Sequence, residues 1–320
     1  MAILVTGSAG FIGFHLSKKL LEAGHEVIGL DNVNDYYSVD LKNSRLNIIN
    51  NYKNFTFYKK DLCDLEALIA IFKKHDINKV VNLAAQAGVR YSLTNPFAYQ
   101  KSNLEGFLNI IDTAKKFNVE NFLYASSSSV YGKNKKLPFS TDDNVDLPIS
   151  LYAATKKANE LIAHTYSHIY NLPTSGFRFF TVYGPYGRPD MALYIFTKKI
   201  MAGEIIDVYN FGKMKRDFTY VDDIVAGLTS SLDKAFKYEV FNLGNHRSEN
   251  LMDFIHIIEK KLDKKAKINL MEIQPGDVPE TYADIKNSSD KLGYFPTTNI
   301  EDGINKFIDW YKEYNQQNKV

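Results

Sequence analysis

Residues Ile3-Leu4-Val5-Thr6-Gly7-Ser8-Ala9-Gly10-Phe11-Ile12-Gly13-Phe14 decide how this chain is read. Four residues suited to a buried strand run into a glycine loop, and a helical pattern follows from Phe14 to Ala23. The glycines stand three apart and do not follow G-x-G-x-x-G, yet the physical logic is shared. Small residues let the backbone approach a pyrophosphate, and a helix N-terminus offers amide groups to its negative charge. Gly13 lets the helix pack closely on the sheet. Eighteen residues beyond Gly13, after a second strand pattern (Glu26 to Leu30), comes Asp31. A carboxylate there accepts hydrogen bonds from both hydroxyls of an adenosine ribose and repels a 2′-phosphate, which favours NAD over NADP. The expected cofactor contacts are therefore Gly7, Gly10, Phe11, Ile12 and Gly13 in the loop, with Asp31 and Asn32 at the ribose. Asp61-Leu62 is placed to flank the adenine, although Asp61 could equally cap a helix.

Outward from the loop, short apolar runs alternate with helical patterns. Strands are expected at Asn54 to Lys59, Val80 to Leu83, Asn121 to Ala125 and Thr174 to Phe179, and helices at Asp64 to His75, Asn103 to Phe117 and Leu151 to Tyr170. Several strands are apolar on both faces, as a strand covered on both sides should be. This alternation predicts an α/β fold, a doubly wound parallel sheet. From about Phe180 the rhythm changes, and proline, glycine and aromatic residues crowd Val182 to Ala192. A strand (Ile206 to Tyr209), a helix (Tyr220 to Ala235) and a further strand (Val240 to Leu243) follow. The expected division is a dinucleotide-binding domain over 1–178 plus 214–245, and a smaller substrate-binding domain over 179–213 plus 246–320.

Bulk properties exclude several classes. Hydrophobic residues make up 45%, enough for a sizeable core. A formal net charge of +2, with dispersed basic residues, argues against a nucleic-acid partner. The runs Lys133 to Lys136 and Lys260 to Lys267 read as solvated surface. Cys63 is the single cysteine and reads as a small, at least half-buried side chain, and the seven histidines show no metal-ligand spacing, so no metal is expected. The chain opens on a strand and has no apolar run near ~20 residues, which predicts a cytoplasmic protein with no membrane partner. The stretch after Tyr314 reads as a frayed end.

Tyr152 and Lys156 lie four apart on an expected helix and so share a face. A phenol with a pKa near ~10 is a poor base at neutral pH. A neighbouring ammonium and a positively charged nicotinamide both favour the phenolate. With 21 tyrosines present, the spacing alone carries little weight. Its context adds more, because Ser126-Ser127-Ser128-Ser129 stands at the end of a strand, where hydroxyls could face a reacting carbon.

These residues, with Leu83-Ala84-Ala85 and Val130-Tyr131-Gly132, resemble the extended short-chain dehydrogenase/reductase family, a Rossmann-type fold. Within it the chain is most similar to UDP-glucuronate 4-epimerases. The segments that carry this are Ala85-Gln86-Ala87-Gly88-Val89-Arg90-Tyr91-Ser92, Arg178-Phe179-Phe180-Thr181-Val182-Tyr183-Gly184-Pro185, Gly187-Arg188-Pro189-Asp190-Met191-Ala192 and Lys213 to Tyr220. The resemblance implies a nucleotide-sugar 4-epimerase with tightly bound, recycled NAD, contacted also at Leu83, Ala84, Ala85, Tyr152 and Lys156. It implies a homodimer, the catalytic hydroxyl at Ser127, a diphosphate-binding arginine at Arg216 and a uridine-ribose carboxylate at Asp277. UDP-galactose 4-epimerases carry a second arginine three residues before that aspartate, where this chain has Gln274.

In the implied cycle Tyr152 deprotonates the sugar O4 as C4 gives up hydride, and the 4-keto sugar then turns its other face to the returning hydride. A glucuronate oxidised at C4 is a β-keto acid prone to lose carbon dioxide. Ser128, Ser129, Thr181 and Arg188 are the candidate clamp on its carboxylate, with Arg90 a weaker candidate. Arg188 could also be a surface residue of its Pro/Gly loop, and Thr181 a packing residue. The rival readings are a UDP-glucuronate decarboxylase, a neutral-sugar 4-epimerase acting on UDP-glucose or UDP-N-acetylglucosamine, and a non-catalytic NAD-binding protein. A 4,6-dehydratase would need an acid/base carboxylate where Ser127-Ser128 stands.

Overall fold

The computed structural model describes residues 1–317. Seven parallel strands form its central sheet: β1 (Ala2–Thr6), β2 (Glu26–Asp31), β3 (Phe55–Lys59), β4 (Ile77–Asn82), β5 (Asn121–Ala125), β6 (Thr174–Phe179) and β7 (Tyr238–Leu243). Their order across the sheet is β7-β6-β5-β4-β1-β2-β3. The chain winds outward from β1 to β3, returns to β4 on the other side of β1, and winds outward again. A parallel sheet whose winding reverses between β1 and β4 is the Rossmann-type, doubly wound arrangement, and the crevice at the strands' carboxyl ends beside that reversal is where such sheets hold ligands.

Alternation along the strands explains why the sheet is covered twice. Ile3 and Val5 of β1 join one apolar cluster and Ala2 and Leu4 the other. Val81 and Val80 divide in the same way, as do Leu123 and Phe122. Side chains of a strand point to opposite faces, so helices must close both sides. Each large apolar side chain so buried contributes about 1.5–3 kcal/mol.

Most expected elements are present, with shifted ends. The first helix is Phe11–Glu22, three residues earlier than its apolar pattern, because Gly10 at φ −74 and ψ 171 already serves as its N-cap. The helix expected from Asn103 begins as an α-helix at Gly106 and is preceded by a π-turn, Gln100–Glu105. Helices Val39–Ile49 and Ala192–Ala202 had no counterpart in the sequence reading. The last helix, Ile300–Gln317, runs through the stretch expected to fray after Tyr314; residues 318–320 of that stretch lie outside the described residues.

Beyond the large sheet the strands come in pairs. Phe218–Tyr220 pairs in parallel with Thr181–Tyr183, Lys267–Leu270 with Ile205–Val208, and Glu249–Asn250 runs antiparallel to Lys215–Arg216. The lysines at 133, 135, 136, 260, 264, 265 and 267 are exposed. Cys63 is half-buried, and burial with Asp61 nearby pushes its thiol up to about 12. No described helix is long and apolar enough to cross a membrane.

Candidate active site

The carboxyl ends of β1 and β4 are stitched together. The Thr6 hydroxyl donates to Asn82 Oδ1 at 2.6 Å and accepts from the Ala84 N–H at 3.1 Å. Gly7 follows at φ +71, where a Cβ would stand 2.8 Å from Ala84 N, and a Cβ on Gly13 would overlap the Gly7 carbonyl. Only glycine lets the loop, the helix and the neighbouring strand end approach this closely.

The loop opens into a cleft of about 1110 Å³ lined by every site residue expected from the sequence. At one end stand Gly7, Gly10, Phe11, Ile12 and Gly13, with Asp31, Asn32, Asp61 and Leu62 beyond them and Leu83, Ala84 and Ala85 across from them. This cradle suits a dinucleotide. Backbone rather than side chains faces the place for a pyrophosphate, and a buried carboxylate closes the ribose end. Asp31 accepts from the Ala9 N–H at 3.1 Å and the Val33 N–H at 2.8 Å, which leaves lone pairs for ribose hydroxyls. Burial nonetheless raises its pKa. Asn32 donates to Asp61 Oδ2 at 2.7 Å, so these two residues form one pair. Burial opposes the Asp61 charge, but hydrogen bonds from Cys63 and Asn32 outweigh it and hold the pKa down.

Mid-cleft, the four serines divide. Ser126 is buried and donates to Glu160 Oε1 at 2.6 Å, behind the cleft wall. Arg178 grips both oxygens of that carboxylate at 2.9 Å. Ser127 caps the short helix Ser128–Tyr131 by accepting from the Ser129 N–H at 3.1 Å, and its hydroxyl lies close enough to the Tyr152 phenol to favour the phenolate. Ser128, Ser129 and Thr181 line the cleft.

Tyr152 and Lys156 sit on helix Leu151–Tyr170, capped by Ser150, whose hydroxyl accepts from the Ala153 N–H. Lys156 is only 4% exposed and donates to the Ala125 carbonyl at 2.8 Å. Here the structure corrects an expectation. Burial raises the Tyr152 pKa, and the groups that offset it are the Ser127 hydroxyl and the Arg188 charge, not Lys156. The ammonium is turned to a carbonyl at the end of β5, so in the chain by itself the phenol keeps its proton at neutral pH.

Burial pulls the Lys156 pKa down from 10.5 to about 8. Below pH 8 both folded and unfolded chains carry this charge. Between 8 and 10.5 only the unfolded chain does, so the unfolded state binds more protons and stability rises with pH. Any stability gap by which Lys156→Met exceeds wild type is therefore expected to fall by about 3 kcal/mol across that window. Denaturant titrations of both proteins at pH 7 and pH 10 check this, and a gap that does not move with pH counts against it.

Arg188 is not a surface residue. It lines the cleft and holds Asp190 through Nε at 3.0 Å and Nη2 at 2.5 Å, and Tyr36 donates to the same carboxylate at 3.1 Å. A guanidinium has five N–H donors, so three remain. At the far end Arg90 pairs with Asp277 at 3.5 Å and lies over the Tyr209 ring, 5.0 Å from its centroid. Arg216 donates to the Lys215 carbonyl at 2.9 Å and the Pro279 carbonyl at 3.2 Å; burial lowers its pKa, partly offset by Asp277. Arg90 thus belongs with Arg216 and Asp277. Gln274 opens the turn that carries Asp277, its own Oε1 buried and without a partner.

The sequence reading missed Lys42 and Tyr36, which line the cleft, and Asn103, which is buried behind it. Asn103 sits in the π-turn and ties three parts of the site. It exchanges hydrogen bonds with the Gln86 backbone at 2.8 and 3.0 Å, donates to Thr155 Oγ1 at 3.0 Å, and its carbonyl accepts from Asn159 at 2.6 Å. Asn103 stands among polar residues where the helical pattern begins, so nothing in the sequence sets it apart.

A sequence profile of the family described as GDP-mannose 4,6 dehydratase matches residues 4–307. The chain belongs to this family. Among proteins of similar sequence, Protein CapI of Staphylococcus aureus is 55% identical, over 98% of this chain and 99% of that one. UDP-glucuronate 4-epimerase 4 of Arabidopsis thaliana is 48% identical, over 98% of this chain and 76% of that one. Among solved structures, the UDP-glucuronic acid 4-epimerase of Bacillus cereus in complex with UDP-glucuronic acid and NAD superposes with a TM-score of 0.93 at 33% identity, covering 98% of this chain and 100% of that one. The resemblance to extended dehydrogenases/reductases, and within them to UDP-glucuronate 4-epimerases, is borne out.

Proposed function

We propose that this chain is an NAD-dependent isomerase that inverts C4 of UDP-glucuronate to give UDP-galacturonate. The observation that carries the uronate reading is the placing of Arg188 within electrostatic reach of the Tyr152 phenol, in a cleft wall that also offers Ser128, Ser129 and Thr181. A cation and three hydroxyls in the wall of the cleft that holds the base suit a carboxylate next to the reacting carbon. A neutral sugar offers hydroxyls to the serines and threonine but no charge for the guanidinium to meet.

The glycine loop, Asp31, Asn32, Asp61, Leu62 and Leu83 to Ala85 would hold NAD, which when bound accepts hydride from C4 and returns it to the opposite face through a transient 4-keto sugar. Tyr152 takes the O4 proton and gives it back, and Ser127 holds the hydroxyl hydrogen bond that orients it. Lys156 fixes the helix to β5 and supplies a positive charge at neutral pH. Arg216, with Arg90 and Asp277, holds the nucleotide end while the sugar turns.

Two further parts belong to the same reading. The division into 1–178 plus 214–245 and 179–213 plus 246–320 is supported by the sheet, whose strands all fall in the first set except for Phe179, the last residue of β6. A homodimer is supported by exposed Leu108 and Leu161 on helices Gly106–Lys116 and Leu151–Tyr170, with Phe97 also exposed, and a cytoplasmic location fits the lack of a described helix able to cross a membrane.

Incubation with UDP-glucuronate, with products resolved by chromatography and mass detection, tests the function. An isomer of unchanged mass that co-elutes with UDP-galacturonate is expected. A product lighter by carbon dioxide would mean a decarboxylase, and turnover of UDP-glucose alone would remove the uronate reading. Sedimentation of the same preparation checks the dimer.

A further inference from the structure

Arg45 is a charged residue in an unusual place. It stands on helix Val39–Ile49 at 0% exposure, with Leu41, Leu46 and Ile49 as buried neighbours on the helix. Nη1 donates to the Ala9 carbonyl at 2.8 Å and to the Tyr37 hydroxyl at 2.6 Å, and Nη2 donates to the Tyr186 carbonyl at 2.7 Å. Nε has no partner. Among the described residues the arginine ion pairs are those of Arg90, Arg178 and Arg188, and Arg45 is in none. Carbonyls and a phenol satisfy N–H groups but do not neutralise a charge, and the carboxylate within electrostatic reach, Asp31, also faces Lys42, so two enclosed cations share one anion, a costly surplus.

The two carbonyls it holds belong to two different loops of the cleft. Ala9 lies in the glycine loop, and its peptide is fixed from both sides, the N–H by Asp31 and the carbonyl by Arg45. Tyr186 lies two residues before Arg188 and sits at φ 56, a left-handed conformation that a side-chain-bearing residue rarely adopts unless something holds it.

We propose that Arg45 is a positioning residue that ties the cofactor loop to the loop presenting Arg188, and that its buried charge is complemented by the cofactor's anionic pyrophosphate. The inference rests on the roles given above to the glycine loop and Arg188. One fork therefore sets two contacts at once: where the glycine loop meets a dinucleotide, and where Arg188 meets the sugar. The uridine end, with Arg216 and Asp277, lies outside its reach.

Two variants separate charge from tether. Arg45→Gln removes the charge and keeps an amide donor. Arg45→Lys keeps the charge and loses the fork. For each, NAD retained per chain after desalting is measured, with the affinities for UDP-glucuronate and for UDP alone by calorimetry. Arg45→Gln is expected to lose NAD at least tenfold more readily than wild type, and Arg45→Lys less. Both should bind UDP-glucuronate at least fivefold more weakly, with UDP changed less than twofold. Wild-type NAD retention and UDP-glucuronate affinity in both variants would overturn the proposal. So would equal losses for UDP and UDP-glucuronate, the mark of general loosening. If Arg45→Gln does not fold, the same comparison of UDP with UDP-glucuronate in Arg45→Lys decides the matter. A wild type that holds NAD but ignores UDP-glucuronate would defeat the functional reading instead, and NAD retention alone would then judge Arg45.

Discussion

Tyr152→Phe is expected to lower kcat by about 10²–10⁴-fold, the usual yield of a positioned acid–base group, while NAD stays bound and the fold is unchanged. The hydroxyl is the only atom removed, and the helix around it is held by other residues. Ser150 caps it, Asn103 and Asn159 join it to the π-turn, and Glu160 anchors it to Ser126 and Arg178. Because burial raises the phenol pKa despite the Arg188 charge, the proton remains on Tyr152 until a further positive charge joins it. The variant should therefore differ from wild type in rate far more than in affinity for either ligand. Single-turnover measurements with UDP-glucuronate, alongside cofactor content, check this. Near-wild-type turnover would remove Tyr152 from the chemistry and the epimerase reading with it.

Removing the carboxylate's partners should change what is made as well as how fast. A β-keto acid loses carbon dioxide when its carboxylate charge flows into the ring carbonyl. Hydrogen bonds that stabilise the charge and fix the carboxylate's orientation oppose that flow. Arg188→Ala deletes a charged donor, and hydrogen bonds to charged groups contribute about 1.5–3 kcal/mol. KM for UDP-glucuronate is then expected to rise about 10- to 100-fold, and the share of UDP-pentose among the products should increase. Asp190 loses its guanidinium partner in this variant, so Ser128→Ala and Ser129→Ala serve as milder comparisons. They should raise the UDP-pentose share with smaller changes in KM. An unchanged product ratio in all three would falsify the clamp.

What was legible in the sequence, and what was not, follows from where each signal is stored. The strands could be read because they are apolar on both faces, and the glycine loop because Gly7 and Gly13 tolerate no Cβ. Helix Val39–Ile49 escaped because its buried face carries Lys42 and Arg45 among three apolar residues, which hides the periodicity that marks a helix. The glycine loop, Leu83 to Ala85 and the serine run could be placed in one cleft because they follow strand ends, whereas Arg216 and Asp277 rested on the family resemblance. The pairings within the cleft could not be read. Nothing in the spacing of Tyr152 and Lys156 tells that the ammonium is turned to Ala125. Nor does the run of four serines show that Ser126 points to Glu160 and Ser127 to Tyr152. Arg90 lies far in sequence from Asp277, and only the folded chain joins them.

The winding of the sheet also sets a timetable. Every residue assigned to the dinucleotide cradle, from Gly7 to Lys156, leaves the ribosome before any of the nucleotide-sugar anchors Arg216 and Asp277. At ~5–20 residues per second, the 121 residues from Lys156 to Asp277 take roughly 6–24 s to synthesise. The part that holds the cofactor thus has its contact residues made first, lacking only strands β6 and β7 and the Tyr186 carbonyl that Arg45 grips, while the part that holds the passing substrate is still being made.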